Sequence, residues 1–254
     1  MRKIENIQYS NLSNCQILTA YLPDDTVSSV FVYFHGGGLV EGDKSDADIF
    51  ASYLTERKIA LISANYRMYP DAEFPDFIND AALAVAWTKS HICNEYNCHK
   101  LYVGGSSAGG YLSMMLCYDA EYLKSVGLDN SQISGYFHDA GQPTAHFTVL
   151  NNSGYDPRRV IVDSTAPLYH VGMATEYPRT RFIVSDNDMA CRYEQTMLIL
   201  STLSNFGHTN FDHRVMHGNH CEYCKKLDEN GESVMGQLIS DFISDSENEQ
   251  CTVK

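Results

Sequence analysis

The stretch Leu101-Tyr102-Val103-Gly104-Gly105-Ser106-Ser107-Ala108-Gly109-Gly110-Tyr111 decides the fold class. An apolar run with strand preference passes through glycines and serines into a helical pattern that starts at Ala108. Within it, Gly105-x-Ser107-x-Gly109 sets a serine at the tip of a sharp strand-to-helix turn. A serine there has strained backbone angles, and the residues two positions either side come so close that side chains would clash. The turn exposes the hydroxyl, and the first amides of the helix face the same point with the positive end of its dipole. A plain Gly/Ser-rich connection has a similar composition, so the weight of the pattern comes from its place between a strand and a helix.

Working outward, Ser29–Phe34, Ile59–Asn65, Lys100–Val103 and Arg181–Val184 are short β-branched and aromatic runs, continuous rather than alternating. Such strands are buried on both faces, as in a parallel sheet covered by helices. Helical spacing occupies 46–58, 77–97, 108–124, 192–205 and 232–244. Ile78, Ala81, Ala82, Val85 and Ala86, for example, form the apolar stripe a sheet-covering helix needs. Strand and helix alternate, which predicts an α/β fold with a mostly parallel central sheet flanked by helices. Ile4–Tyr9 and Cys15–Tyr21, divided by a polar turn, predict an N-terminal antiparallel hairpin at the sheet edge. No linker or repeat breaks the chain, so 1–254 is expected to form one domain, with a small irregular cover at about 134–180. The acidic stretch Asp241–Gln250 reads as a solvated end.

Composition excludes some functions. The 32 acidic residues against 18 basic ones leave a net charge of -14, which repels nucleic acid and anionic membrane surfaces. Neither a signal peptide nor a long apolar span is legible, so the expected location is cytoplasmic and the eight cysteines are expected to be reduced thiols.

A second segment, Phe34-His35-Gly36-Gly37-Gly38-Leu39, follows the most apolar strand. Three successive glycines cost backbone entropy, which is consistent with a loop that brings bare amides close to an oxyanion. Dinucleotide and P-loop patterns are absent here. Taken with Asn65-Tyr66-Arg67-Met68-Tyr69-Pro70, Phe74-Pro75, Asp80 and the serine turn, in this order and spacing, the sequence resembles the α/β-hydrolase esterase/lipase family, in its hormone-sensitive-lipase-like branch. The resemblance covers about residues 28–245. It implies Ser107 as nucleophile, the amides of Gly37, Gly38 and Ala108 as oxyanion hole, and an acid and a histidine later in the chain.

A serine hydroxyl needs a base, and the base a carboxylate to hold its tautomer. Asp186 and Asp188 both follow the strand at 181–184, and the family pattern favours Asp188. His217 and His220 follow the next strand, and the family pattern favours His220. His217, His220, Cys221 and Cys224 also have zinc-ligand chemistry, but four ligands this close in the chain would strain to form one tetrahedron, so no metal and no cofactor are expected. Many members of the branch carry a long N-terminal extension as a cap. Such a cap is not expected here, and any cover is expected to come from 134–180, leaving an open acyl pocket. The expectation is a serine carboxylesterase acting on short, acetyl-like esters as small-molecule substrates. An amidase or peptidase with the same triad, or a noncatalytic small-molecule binder of the same fold, are the alternatives.

Overall fold

Alternate residues of the central strands feed two separate apolar cores. The structure, a computed structural model, describes residues 1–252, with side chains through Glu247. Among the described residues one sheet has eight strands: β1 (Arg2–Gln8), β2 (Ile17–Leu22), β3 (Ser29–Phe34), β4 (Ile59–Ala64), β5 (Leu101–Ser106), β6 (Gly135–Asp139), β7 (Arg179–Asn187) and β8 (Phe211–Asn219). Their spatial order is β1-β2-β4-β3-β5-β6-β7-β8. β1 and β2 form the expected antiparallel hairpin, β2 joins β4 antiparallel, and every later pairing is parallel. Every residue of β3, β4 and β5 is buried, as continuous apolar runs require.

Val30, Val32, Ile62, Leu101 and Val103 face one core, which α2 (Asp76–Thr88), α3 (Ala108–Tyr118) and α7 (Arg192–Asn205) cover. Phe31, Tyr33, Leu61 and Tyr102 face the other, covered by α1 (Asp48–Glu56) and α8 (Val234–Thr252). This is the α/β-hydrolase fold, with parallel strands and helices on both faces.

Two expectations are corrected. The segment 134–180 is not irregular throughout, because β6 lies inside it and pairs with β5 and β7. Its five residues Gly-Tyr-Phe-His-Asp include glycine and aspartate, which strands disfavour, and this hid the strand. The cover is built after β6, from the short helices α5 (Phe147–Asn152) and α6 (Pro167–His170) with their loops. The stretch from Asp241 is not a solvated end through Glu247 either, since Phe242 and Ile243 are buried in α8. Phe242 packs edge-on against Tyr102 at 5.7 Å, while Asp241 and Asp245 pair with Arg214 and Arg181. The rest of that acidic stretch lies outside the described side chains. Among the described residues no helix is long and apolar enough to cross a membrane, and seven cysteines are free thiols.

Candidate active site

Ser107 stands alone between β5 and α3, with φ 55° and ψ −113°. The angles follow from crowding around it. A Cβ on Gly105 would stand 2.6 Å from the Phe34 carbonyl oxygen, and one on Gly109 would overlap that same atom. The two glycines therefore let the turn pack onto the end of β3, and the neighbouring strand holds the serine in its strained conformation. Ser107 N–H donates to the Asp139 carbonyl at the end of β6 (2.7 Å), and its own carbonyl accepts from Tyr111 N–H (3.0 Å).

The parallel strands β5, β7 and β8 all end at the same edge of the sheet, where ligands of open α/β sheets bind. Asp188 follows β7 and His220 follows β8. His220 Nε2 is 2.8 Å from Ser107 Oγ, and Nδ1 is 2.5 Å from Asp188 Oδ1. The Asp188 side chain is fully shielded from solvent and accepts from the N–H groups of Ser185 (3.1 Å) and Met189 (2.7 Å). Burial pushes its carboxyl up, but His220 and these donors outweigh burial and hold it below the usual carboxylate range. Burial likewise disfavours a charged His220, and its hydrogen bond to Asp188 overcomes that and raises its pKa above the ordinary value.

The structure separates the two Asp/His alternatives. Asp186 and His217 pair with each other at 2.6 Å on the surface, His217 being 98% exposed, away from Ser107. His217 turns outward into solvent, so His217, His220, Cys221 and Cys224 are not brought together as one group.

The glycine loop sits where its sequence places it, beside the serine turn. Gly36 is close enough that a Cβ on it would touch Ser107 Cβ at 3.2 Å. Gly37 and Gly38 have φ of 107° and 63°. Among the described residues no acceptor bonds the amides of Gly37, Gly38 or Ala108, so all three are free to donate. The loop is braced by the residues that carry the family resemblance. Tyr66 donates to the His35 carbonyl (2.9 Å) and stacks on the His35 ring. Asn65 bonds Asp43 and the Lys44 amide. Arg67 grips the fully buried Asp80 in a bidentate pair. From the cover, Thr148 Oγ1 donates to the Gly38 carbonyl (2.5 Å), and Phe147 lies against Gly38. His138, by contrast, is packed inside the core, where burial pushes its pKa down to about 3.

A cleft of about 500 Å³ opens over Ser107, lined by Tyr33 and Phe50 and by the acidic Glu41, Asp43 and Asp46, the last paired with Lys225 at 3.2 Å. This acidic lining has no motif. Its signal in the sequence is three carboxylates within the six residues after Val40.

The family model of BD-FAE matches residues 18–155, more than half of the chain. The chain belongs to the BD-FAE family. The BD-FAE match contains the glycine loop and Ser107, whereas Asp188 and His220 lie beyond it. Carboxylic ester hydrolase LipN of Mycobacterium tuberculosis is 33% identical over 91 residues, covering 35% of this chain and 24% of that protein. Versiconal hemiacetal acetate esterase of Aspergillus parasiticus is 33% identical over 99 residues, covering 38% and 30%. The matched stretch thus spans less than a third of these relatives. Among solved structures, esterase B of Lactobacillus rhamnosis superposes with a TM-score of 0.78 at 18% identity, covering 99% of this chain and 88% of that one. The butyrate-bound esterase Est2 of Thermogutta terrifontis gives 0.75 at 18%, covering 95% and 93%. These likenesses bear on the α/β-hydrolase fold of this BD-FAE chain.

Proposed function

We propose that this protein is a serine carboxylesterase that hydrolyses short-chain acyl esters through an acyl-enzyme on Ser107. The observation that carries the reading is one imidazole held between two partners, with Nε2 at Ser107 Oγ and Nδ1 at the shielded Asp188. His220 accepts the Ser107 proton as the oxygen attacks the ester carbonyl, then returns it to the leaving alcohol. Asp188 keeps Nδ1 protonated and stabilises the imidazolium. The amides of Gly37, Gly38 and Ala108 receive the negative charge of the tetrahedral intermediate, each such donor contributing about 3–4 kcal/mol. Water activated by the same histidine then releases the acid. The names of LipN and the versiconal hemiacetal acetate esterase support an ester as substrate. The butyrate bound to the structural neighbour Est2 supports a short acyl side, and Glu41, Asp43 and Asp46 against the single Lys225 in the cleft lining support a substrate without negative charge.

The test is hydrolysis of p-nitrophenyl esters from acetyl to dodecanoyl by wild type and Ser107→Ala. Rates highest from acetyl to butyryl, with kcat lowered on the order of 10⁶-fold in the variant, are expected. An optimum at long chains would overturn the short-acyl assignment, and equal rates in wild type and variant would overturn Ser107 as nucleophile.

A further inference from the structure

Directly beside the triad is a cluster that ester hydrolysis does not use. Cys221 follows His220, a single 3₁₀ turn over Glu222–Lys225 carries Cys224 back, and Asp139 ends β6 beneath them. A carboxylate oxygen of Asp139 and the two Sγ atoms all lie within 4.8 Å of one another. Cys224 Sγ is 3.3 Å from Asp139 Oδ2, and the Tyr223 hydroxyl donates to Oδ1. Asp139 has no exposed surface. Hydroxyls and a thiol surround it, and among the described residues no lysine or arginine pairs with it. A buried carboxylate without a countercharge is costly, and a cation relieves that cost.

The ligand set defines the cation. Two thiolates and one carboxylate are a borderline-soft donor set, suited to zinc rather than magnesium or calcium. With Zn–S bonds of about 2.3 Å, tetrahedral ligand atoms stand about 3.8 Å apart, so small side-chain shifts close the site. Asp139 comes from a strand more than eighty residues earlier, so the short stretch 220–224 need not supply all four ligands. Cys221 and Cys224 line the cleft over Ser107, with His220 beside them. Cys221 Sγ is 3.7 Å from His220 Nε2, the atom assigned to take the Ser107 proton.

We propose that Asp139, Cys221 and Cys224 bind a zinc-class divalent cation, and that the His220 ring, which lies outside this three-donor group in the resting chain, turns toward the cation so that Nε2 completes its coordination and is withdrawn from catalysis. Binding forms two S–metal bonds and one O–metal bond and releases the two thiol protons to solvent. No electrons are transferred. A metal-bound Nε2 lone pair cannot accept the serine proton, so occupancy inhibits. The inhibition rests on the function proposed above, whereas the binding does not.

The experiment titrates Co²⁺ into the reduced, metal-free full chain and follows thiolate-to-cobalt charge-transfer absorption. Saturation at one equivalent is expected, reversed by one equivalent of Zn²⁺, with the absorption lost in Cys224→Ser and in Asp139→Asn. Circular dichroism confirms folding, and two variants guard against the loss of either. In parallel, Zn²⁺ is expected to lower p-nitrophenyl acetate hydrolysis at least tenfold in wild type. In Cys224→Ser the ratio of rates with and without Zn²⁺ should stay near one. No charge-transfer band in wild type, or an equal band in both folded variants, overturns the site. A band with an unchanged zinc ratio in wild type overturns the inhibition. A band in a protein inactive on every ester overturns the esterase reading and leaves the cation site standing.

Discussion

Asp188–His220 and Asp186–His217 are two carboxylate–imidazole pairs drawn from the ends of the same two strands, a few residues apart in the chain. Both have short hydrogen bonds, 2.5 and 2.6 Å. One is shielded and faces Ser107, while the other lies in solvent with His217 almost wholly exposed. Contact distance therefore does not distinguish them. What does is the company each keeps: His220 has Ser107 at its other nitrogen and Asp188 is shielded where water screens little, whereas Asp186, which also accepts a backbone N–H from Gly218, stands in solvent.

The largest effect that sharpens this contrast is expected from the histidines. His220→Ala should lower kcat on the order of 10⁵- to 10⁶-fold on p-nitrophenyl acetate, and His217→Ala should leave it within about twofold. Comparable losses in both would break the distinction. Next, Asp188→Asn should cost about 10⁴-fold in kcat by leaving the wrong imidazole tautomer, whereas Asp186→Asn should be nearly silent in the same assay.

A smaller effect is expected in the pH profile, measured with chelator present. A protonated His220 cannot act as base, so kcat/KM should rise with pH through the free-enzyme pKa of His220. Because that pKa is raised, the midpoint should lie above the ordinary histidine value of 6.5. Asp188→Asn should move the midpoint down and His217→Ala should not move it. Smallest of all, the double variant Asp186→Asn/His217→Ala should unfold at the thermal midpoint of wild type, since an exposed pair is screened. A clear drop by scanning calorimetry would give that pair a structural role.

Much of this was legible in the sequence for reasons particular residues make plain. β3, β4, β5 and β7 are apolar because both faces are buried, and the span 192–205 of α7 follows from its spacing. Ser107 was legible because its backbone demands glycine at 105 and 109. The choice between the aspartates was less so. In a regular strand residues 186 and 188 face the same side, but the β7–β8 register is irregular between Ser185 and Asn187, and no local pattern announces it. The acidic stretch after Asp241 misled because its carboxylates are exposed partners of arginines in β7 and β8, while Phe242 and Ile243 between them hold the helix down. Asp139 gave no signal, since its surroundings are assembled from β6 and the turn after His220.

The hydrogen bond from Thr148 to the Gly38 carbonyl couples two properties that an enzyme designer would wish to vary separately. Residues 147 and 148 touch Gly38, which belongs to the loop assigned to hold the developing charge, and on the short-acyl reading they bound the acyl group from that side. A library at those two positions would therefore move turnover along with chain-length preference, and variants that keep a hydroxyl at 148 should scatter least in rate.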